Sequence, residues 1–416
     1  MAARVLRTYL AVVGLFNLSA SLIWGVNTLF LLDAGLTLTQ TFIANAFYTL
    51  GMVLFEIPTG VVADTLGRRT SFLWSLAILF LGTLAYVFLA TLPVSMALWA
   101  ATSVLLGLGF TFYSGAVEAW VVDALDATGH TGPKDKVFAL GGQVQGATML
   151  VGTLGGGLLG QLDLAWPYLL RAVLLVACFG VAFLFMKDLG FEQRSFRVKQ
   201  VPREMRRVLH DSLDDGWRKP AVRLLLLISM IHWGFLIWGW YAWQPHFVDL
   251  AGGAVWIAGA VAAAVSVTMI VGNGIGPRLA TWIGDRSWLL ALTQVVFIIG
   301  LAGVARADTF WPAVLSFLLA MTAFGVHEPV RAAMLHALIP SRTRATVISF
   351  GGLLASAAGV VSQVLLAGYA ERAGIPAGYA VGAVLMMFAV PLALLGGRIA
   401  GDKACDPTTP VAESAP

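Results

Sequence analysis

The chain has 416 residues, 59% of them hydrophobic and only 12% charged, with a mean hydropathy of +0.84. A soluble domain carries about 25% charged residues, so these charges cannot cover a water-facing globule of this length, and a lipid-facing surface is what remains. The net charge of +4 would suit nucleic acid, but the placement of the basic residues has a membrane explanation.

In chain order, apolar runs long enough to cross a bilayer fall at 8–32, 41–63, 70–90, 96–122, 137–160 and 166–187. After a polar stretch they resume at 221–248, 254–277, 287–305, 309–335, 345–370 and 377–397. The first run is longer than a signal-peptide core and reads as a retained span. With the N-terminus inside, 23 of the 26 basic residues lie on cytoplasmic ends and loops, and only Arg171, Arg306 and Arg372 fall elsewhere. This predicts an integral protein of the plasma or inner membrane with both termini cytoplasmic, and nucleic acid is not needed as a partner.

The segment 188–220 carries eight Lys/Arg and six Asp/Glu. After Pro202 it sets Met205, Val208, Leu209, Ser212 and Leu213 on one helical face, the pattern of an amphipathic helix on the membrane surface; a plain linker is the simpler reading. The stretch 401–416 is polar and proline-containing, as in disordered tails. Cys178 and Cys405 form no disulfide framework and no zinc spacing. A Walker-type loop and a G-x-S-x-G elbow are both missing. No enzyme activity, cofactor or metal site is therefore expected. The expected partners are a small-molecule substrate, membrane lipids and protons, and the protein is expected to be a monomer.

The second half echoes the first. Leu22-Ile23-Trp24-Gly25 returns as Leu236-Ile237-Trp238-Gly239, and an offset of 210 carries Gly115, Glu118, Val137, Gly141 and Gly142 onto Gly325, Glu328, Val347, Gly351 and Gly352. Two acids inside apolar runs rarely coincide by chance. Six spans per half give parallel repeats. The expected fold is an all-α membrane protein: twelve transmembrane helices in two six-helix bundles, 1–187 and 221–400, around a central cavity, joined by 188–220.

Between the second and third runs stands Gly60-Val-Val-Ala-Asp64-Thr-Leu-Gly67-Arg68-Arg69. A short turn needs glycine, Asp64 can accept from arginine or a helix N-terminus, and the arginines hold the inside face. The string resembles the signature loop of the major facilitator superfamily, G-x-x-x-D-x-x-G-R-[KR]. That resemblance implies a secondary transporter working by alternating access, with Gly60, Asp64, Gly67, Arg68 and Arg69 in the conformational switch. Asp123, Glu328 and Arg331 are further gate candidates. In the second half the same offset matches only Arg278 to Arg68.

Gly152-Thr-Leu-Gly155-Gly156-Gly157 is similar to the family's exporter pattern G-P-x-x-G-G with threonine in place of proline. It reads either as a helix-packing face or as an antiporter bend. Ser103-Val-Leu-Leu-Gly107 stands where related exporters carry R-x-x-x-G. The missing arginine sets standard proton antiport in doubt.

Ionisable groups inside spans cost about 2.5 kcal/mol or more by insertion scales. Glu56, Glu118 and Glu328 are candidates for proton coupling, while for Glu118 and Glu328 cytoplasmic gate salt bridges are the favoured reading. Asn17, Ser21, Trp24 and Thr28 form a polar stripe on the first run. The family resemblance places that run and the seventh around the substrate cavity, which adds His232, Trp233, Trp240 and Gln244 as lining candidates. Such an aromatic cavity with one or two acids suits amphipathic or cationic compounds. The resemblance leans toward efflux, with import of a nutrient as the alternative and a membrane enzyme or lipid-handling protein as the third reading.

Overall fold

The computed structural model describes residues 1–191 and 213–407. No strand occurs among them. Twelve helices among the described residues are long and apolar enough to cross a membrane: Ala2–Trp24, Leu38–Leu66, Arg68–Leu89, Met96–Ala127, Lys134–Leu162, Trp166–Phe185, Pro220–Leu250, Trp256–Ile283, Arg286–Arg306, Phe310–Leu338, Thr346–Ala373 and Ile375–Ala400. These are the first to twelfth spans below. The expected surface helix after Pro202 lies outside the described residues except at Leu213, which opens a short π turn, Leu213–Trp217.

Local chemistry sets the ends. Thr37 and Gln40 form a reciprocal capping box at the start of the second span. Pro167 and Pro220 are tolerated because they occupy the first helical turn of the sixth and seventh spans, where no amide partner exists. The first span differs from expectation. It starts at Ala2, and it stops at Trp24, with a separate short helix Asn27–Asp33 completing the apolar run. The fourth span is also interrupted, between Tyr113 and Ala116, with Gly115 in the left-handed region at φ +72°.

The chain divides into two compact units. One holds the first six spans, with Phe16, Phe72, Leu76, Trp120 and Val121 in its core. The other holds most of the remaining six, around Leu225, Leu289, Leu290, Val330 and Met334. The division departs from the expected halves at Gly252–Ala263, which belongs with the first unit. The reason is a close helix contact. A Cβ on Gly157 would lie 2.7 Å from the Gly259 backbone, and Gln161 Oε1 accepts from the Trp256 amide at 3.2 Å. Between helices already in lipid, such small-residue approach replaces burial from water as the source of association.

The fifth-span glycines serve that packing. Positions 152 and 156 lie against Ser21 and the Leu22 carbonyl of the first span, and Lys134–Leu162 runs as one helix. Thr153 Oγ1 donates to the Met149 carbonyl within it. The expected disordered tail is corrected at its start: Asp402–Cys405 is helical, and Cys405 is buried. Residues 408–416 lie outside the described residues. Arg171, an exception to the loop pattern, is no loop residue. It is buried in the first unit, donating to Thr83 Oγ1 at 3.1 Å and to the Ser19 carbonyl at 3.5 Å.

Candidate functional site: a signature turn and a buried histidine cluster

The signature turn is clasped by a segment that the sequence does not point to. Gly67 ends the second span at φ +103°, a conformation glycine adopts without strain. Arg68 pairs with Asp64 at 2.6 Å, one helical turn back. The third span starting at Arg68 has no capping side chain of its own. Its free N-terminal amides are met from a distance: the Arg69 amide donates to Asp188 Oδ1 at 2.9 Å. A Cβ on Gly67 would collide with Asp188 Oδ2, so the carboxylate fills the space glycine leaves. The Arg69 guanidinium donates to the Phe183 carbonyl at 2.7 Å and lies over the Phe183 ring.

Trp120 Nε1 completes the clasp by donating to the Lys187 carbonyl at 2.7 Å. Burial pushes the Asp188 carboxyl above its ordinary range, against the Arg69 amide bond and the charges of Arg69 and Arg68; Asp123 pushes it further up. Asp123 therefore sits near the turn, as expected, but meets it through Asp188. No ion pair joins Asp123 to Arg68 or Arg69 among the described residues. Gly60 has open space around it. Asp64 fills the expected arginine-pairing role, while Asp188 takes the helix-capping role.

The polar residues of the first span turn mostly into the protein. Asn17 is buried, hydrogen-bonds the Tyr113 side chain and donates to the Val13 carbonyl at 2.9 Å. Ser21 is fully buried against the fifth span, donating to the Asn17 carbonyl at 2.7 Å and lying 3.3 Å from the Thr148 carbonyl. Its expected place on a cavity wall is corrected, since a small hydroxyl lets the fifth-span glycines approach. Thr28 is likewise buried, on the short helix beyond the break, and Trp24 is half-buried at the end of the first helix. Glu56 hydrogen-bonds the Ser114 side chain at the fourth-span break. Glu118 is exposed one turn beyond that break, within electrostatic reach of Tyr9 and Tyr113. Ser103, at the position of the missing arginine, is buried on the Tyr86 hydroxyl at 2.6 Å.

The second unit gathers a denser constellation. Arg331 holds Glu328 with two hydrogen bonds, Nε to Oε1 at 3.1 Å and Nη2 to Oε2 at 2.9 Å, the pairing their three-residue spacing predicts. Trp233 Nε1 points to the same carboxylate at 3.4 Å. Behind this pair lie two imidazoles, His232 and His327, both buried with ring centroids 4.5 Å apart. Phe297 and Phe324 pack edge-on to the His232 ring. Thr293 and Gln294 of the ninth span reach the Nδ1 atoms of His327 and His232 at 3.1 and 3.2 Å.

A cavity of about 260 Å³ opens beside the cluster, lined by Trp233, Arg331, Ser229, Ile237, Leu335 and Ser356 among others. Of the seventh-span candidates, Trp233 faces this cavity and His232 lies deeper. Trp240 is half-buried and Gln244 fully buried, and neither is among the residues lining this cavity. Sequence reasoning missed Thr293, Gln294 and Asp188. Each acts across the fold, and none belongs to a local motif.

A model of the family described as Major Facilitator Superfamily matches residues 9–363. The chain belongs to that superfamily. It is accordingly a membrane transporter and not an enzyme, and about a third of it is similar to tetracycline resistance proteins. One stretch is 32% identical over 143 residues to a tetracycline resistance protein, class G, of Vibrio anguillarum; it covers 34% of this chain and 34% of that protein. The chain thus matches about a third of that relative's length. A transporter of unassigned role in Bacillus subtilis, YxaM, is 23% identical over 382 residues, 88% of this chain and 89% of its own. Among solved structures, the nucleoside transporter NupG superposes with a TM-score of 0.76 over 95% of this chain and 98% of that one, at 12% identity, a likeness of fold alone.

Proposed function

We propose that this transporter exports small amphipathic compounds by alternating access, driven by an ion gradient, from a cell membrane in which both of its termini face the cytoplasm. The observation that carries this reading is the second-unit cavity, where the Trp233 indole stands beside the Glu328–Arg331 pair. An aromatic face with one paired acid offers stacking and a charge that can be exchanged for a ligand's own. The partial likeness to a tetracycline resistance protein supports the outward direction. Glu328 is bound into its ion pair, which favours the gate role for it. Glu118, exposed at the fourth-span break, is the coupling carboxylate.

The test is transport in energised cells and in proteoliposomes with an imposed proton gradient, using tetracycline and ethidium as probes. Export that collapses with a protonophore supports the reading; gradient-driven accumulation inside cells overturns it in favour of import. Glu118→Gln is expected to retain folded protein and to flatten the pH dependence of transport. An unchanged pH profile removes Glu118 from coupling.

A further inference from the structure

We propose that His232, His327 and Glu328 bind a divalent transition-metal ion of the zinc class. One ligand-type atom from each of the three lies within 4.8 Å of the other two. Two imidazoles and one carboxylate form a donor set suited to first-row divalent ions, with a further coordination position left open.

Hydrogen bonding supplies the second argument. Both rings are buried, and both Nε2 atoms lack a partner. A buried nitrogen without a partner is uncommon and calls for a reason. The tautomer of His327 follows from its neighbour. Thr293 Oγ1 lies 2.8 Å from the Leu290 carbonyl and spends its single proton there, so it accepts from His327 Nδ1–H. His327 Nε2 then carries a bare lone pair. Gln294 does the same for His232 when its amide oxygen, otherwise orphaned, turns to Nδ1–H. Metal-bound histidines show this arrangement, with the far ring nitrogen held by a protein acceptor so that the near one can bind. Packing against Phe297 and Phe324 accounts for the burial of the His232 ring but not for two buried Nε2 atoms without a partner.

Arg331 gives the site a competitor. Its guanidinium holds both Glu328 oxygens, so it competes with a metal ion for the charge of the carboxylate. The inference does not depend on the direction of transport or on the exported compound.

The experiment is a cobalt and zinc titration of the purified, tag-free full-length protein, followed by visible absorption and calorimetry. One Co²⁺ per chain is expected, with ligand-field bands that Zn²⁺ abolishes. His232→Ala and His327→Ala should lose the bands, with folding checked by the metal-free melting temperature. Thr293→Val removes the acceptor that orients His327 and should weaken binding by about 10–100-fold. Arg331→Gln removes the competitor and should tighten it. Those opposite shifts keep the test decisive if a histidine variant does not fold. Absence of stoichiometric Co²⁺ binding to the wild type, or bands that survive both histidine substitutions, overturns the proposal.

Discussion

The turn between the second and third spans and the turn between the eighth and ninth solve the same backbone problem in different ways. Gly67 and Gly284 both end a span at positive φ, +103° and +76°. In the first unit the Arg69 amide of the following helix is met by Asp188, more than a hundred residues away. In the second, Asp285 caps the amides of Ser287 and Trp288 directly, at 2.7 and 3.4 Å. The arginines that follow remain parallel in role. Arg69 donates to the Phe183 carbonyl at the end of the sixth span, and Arg286 to the Ala404 carbonyl just past the twelfth. The second turn thus caps its own helix, while the first draws its cap from the segment after the sixth span. A turn that draws its cap from elsewhere can be released by moving that segment, as a switch requires.

Glycine replacement should separate the two turns most sharply. Gly284→Ala, with open space around the position, should cost about 1–2 kcal/mol from its left-handed backbone alone. Gly67→Ala bears a backbone cost of about 1–3 kcal/mol at φ +103° and ψ +151° and also drives Asp188 off the Arg69 amide, a charged hydrogen bond of about 1.5–3 kcal/mol. Thermal unfolding in detergent reads the difference. Equal losses at the two positions would dissolve the contrast.

Shortening the chain after Gly401 tests the second clasp. It strips the buried Arg286 of the Ala404 carbonyl, with an expected loss of about 1–3 kcal/mol for an orphaned donor. An unchanged melting temperature would show that this clasp adds nothing to stability.

A smaller effect is expected in the pH dependence. Because burial raises the Asp188 carboxyl, the folded protein holds that proton more tightly than the unfolded chain. The stabilisation it gives is complete below the ordinary carboxylate range and fades as pH rises through the raised value. Wild type should therefore gain stability over Asp188→Asn on acidification from neutral pH. A constant gap between the two melting curves would mean that the group titrates normally.

The smallest stability change belongs to Asp64→Asn, since a partly exposed i, i+4 pair contributes about 0.3–0.5 kcal/mol. If the first turn is the switch, transport should nevertheless fall at least about tenfold, roughly 1.4 kcal/mol in a rate or equilibrium. Assays of reconstituted protein would show whether loss of transport and loss of stability part company here.

The span pattern was readable because it is local. Twelve apolar runs had to become twelve helices, and the signature turn lies where its residues put it. The repeat was readable too, but identity matching at an offset of 210 set Arg278 against Arg68. By position in the fold the counterpart of Gly67 is Gly284, because the eighth span is followed by a turn 217 residues on, outside that register. The polar stripe misled at Ser21. Helical spacing shows which residues share a face, and says nothing of whether the neighbour is solvent or a glycine-lined helix.

Composition and periodicity by themselves determined a twelve-span membrane protein with a signature turn, because backbone hydrogen bonds must close within each helix wherever water is missing. Only the tertiary structure decided which polar groups meet. His232 and His327 stand almost a hundred residues apart in sequence, yet their rings touch; Asp188 reaches back across the first unit to Gly67 and Arg69. Pairings of that kind depend on how helices pack side by side, where a few methylene groups and the presence of glycine set the distance. No repeat, run or motif along the chain encodes that spacing locally.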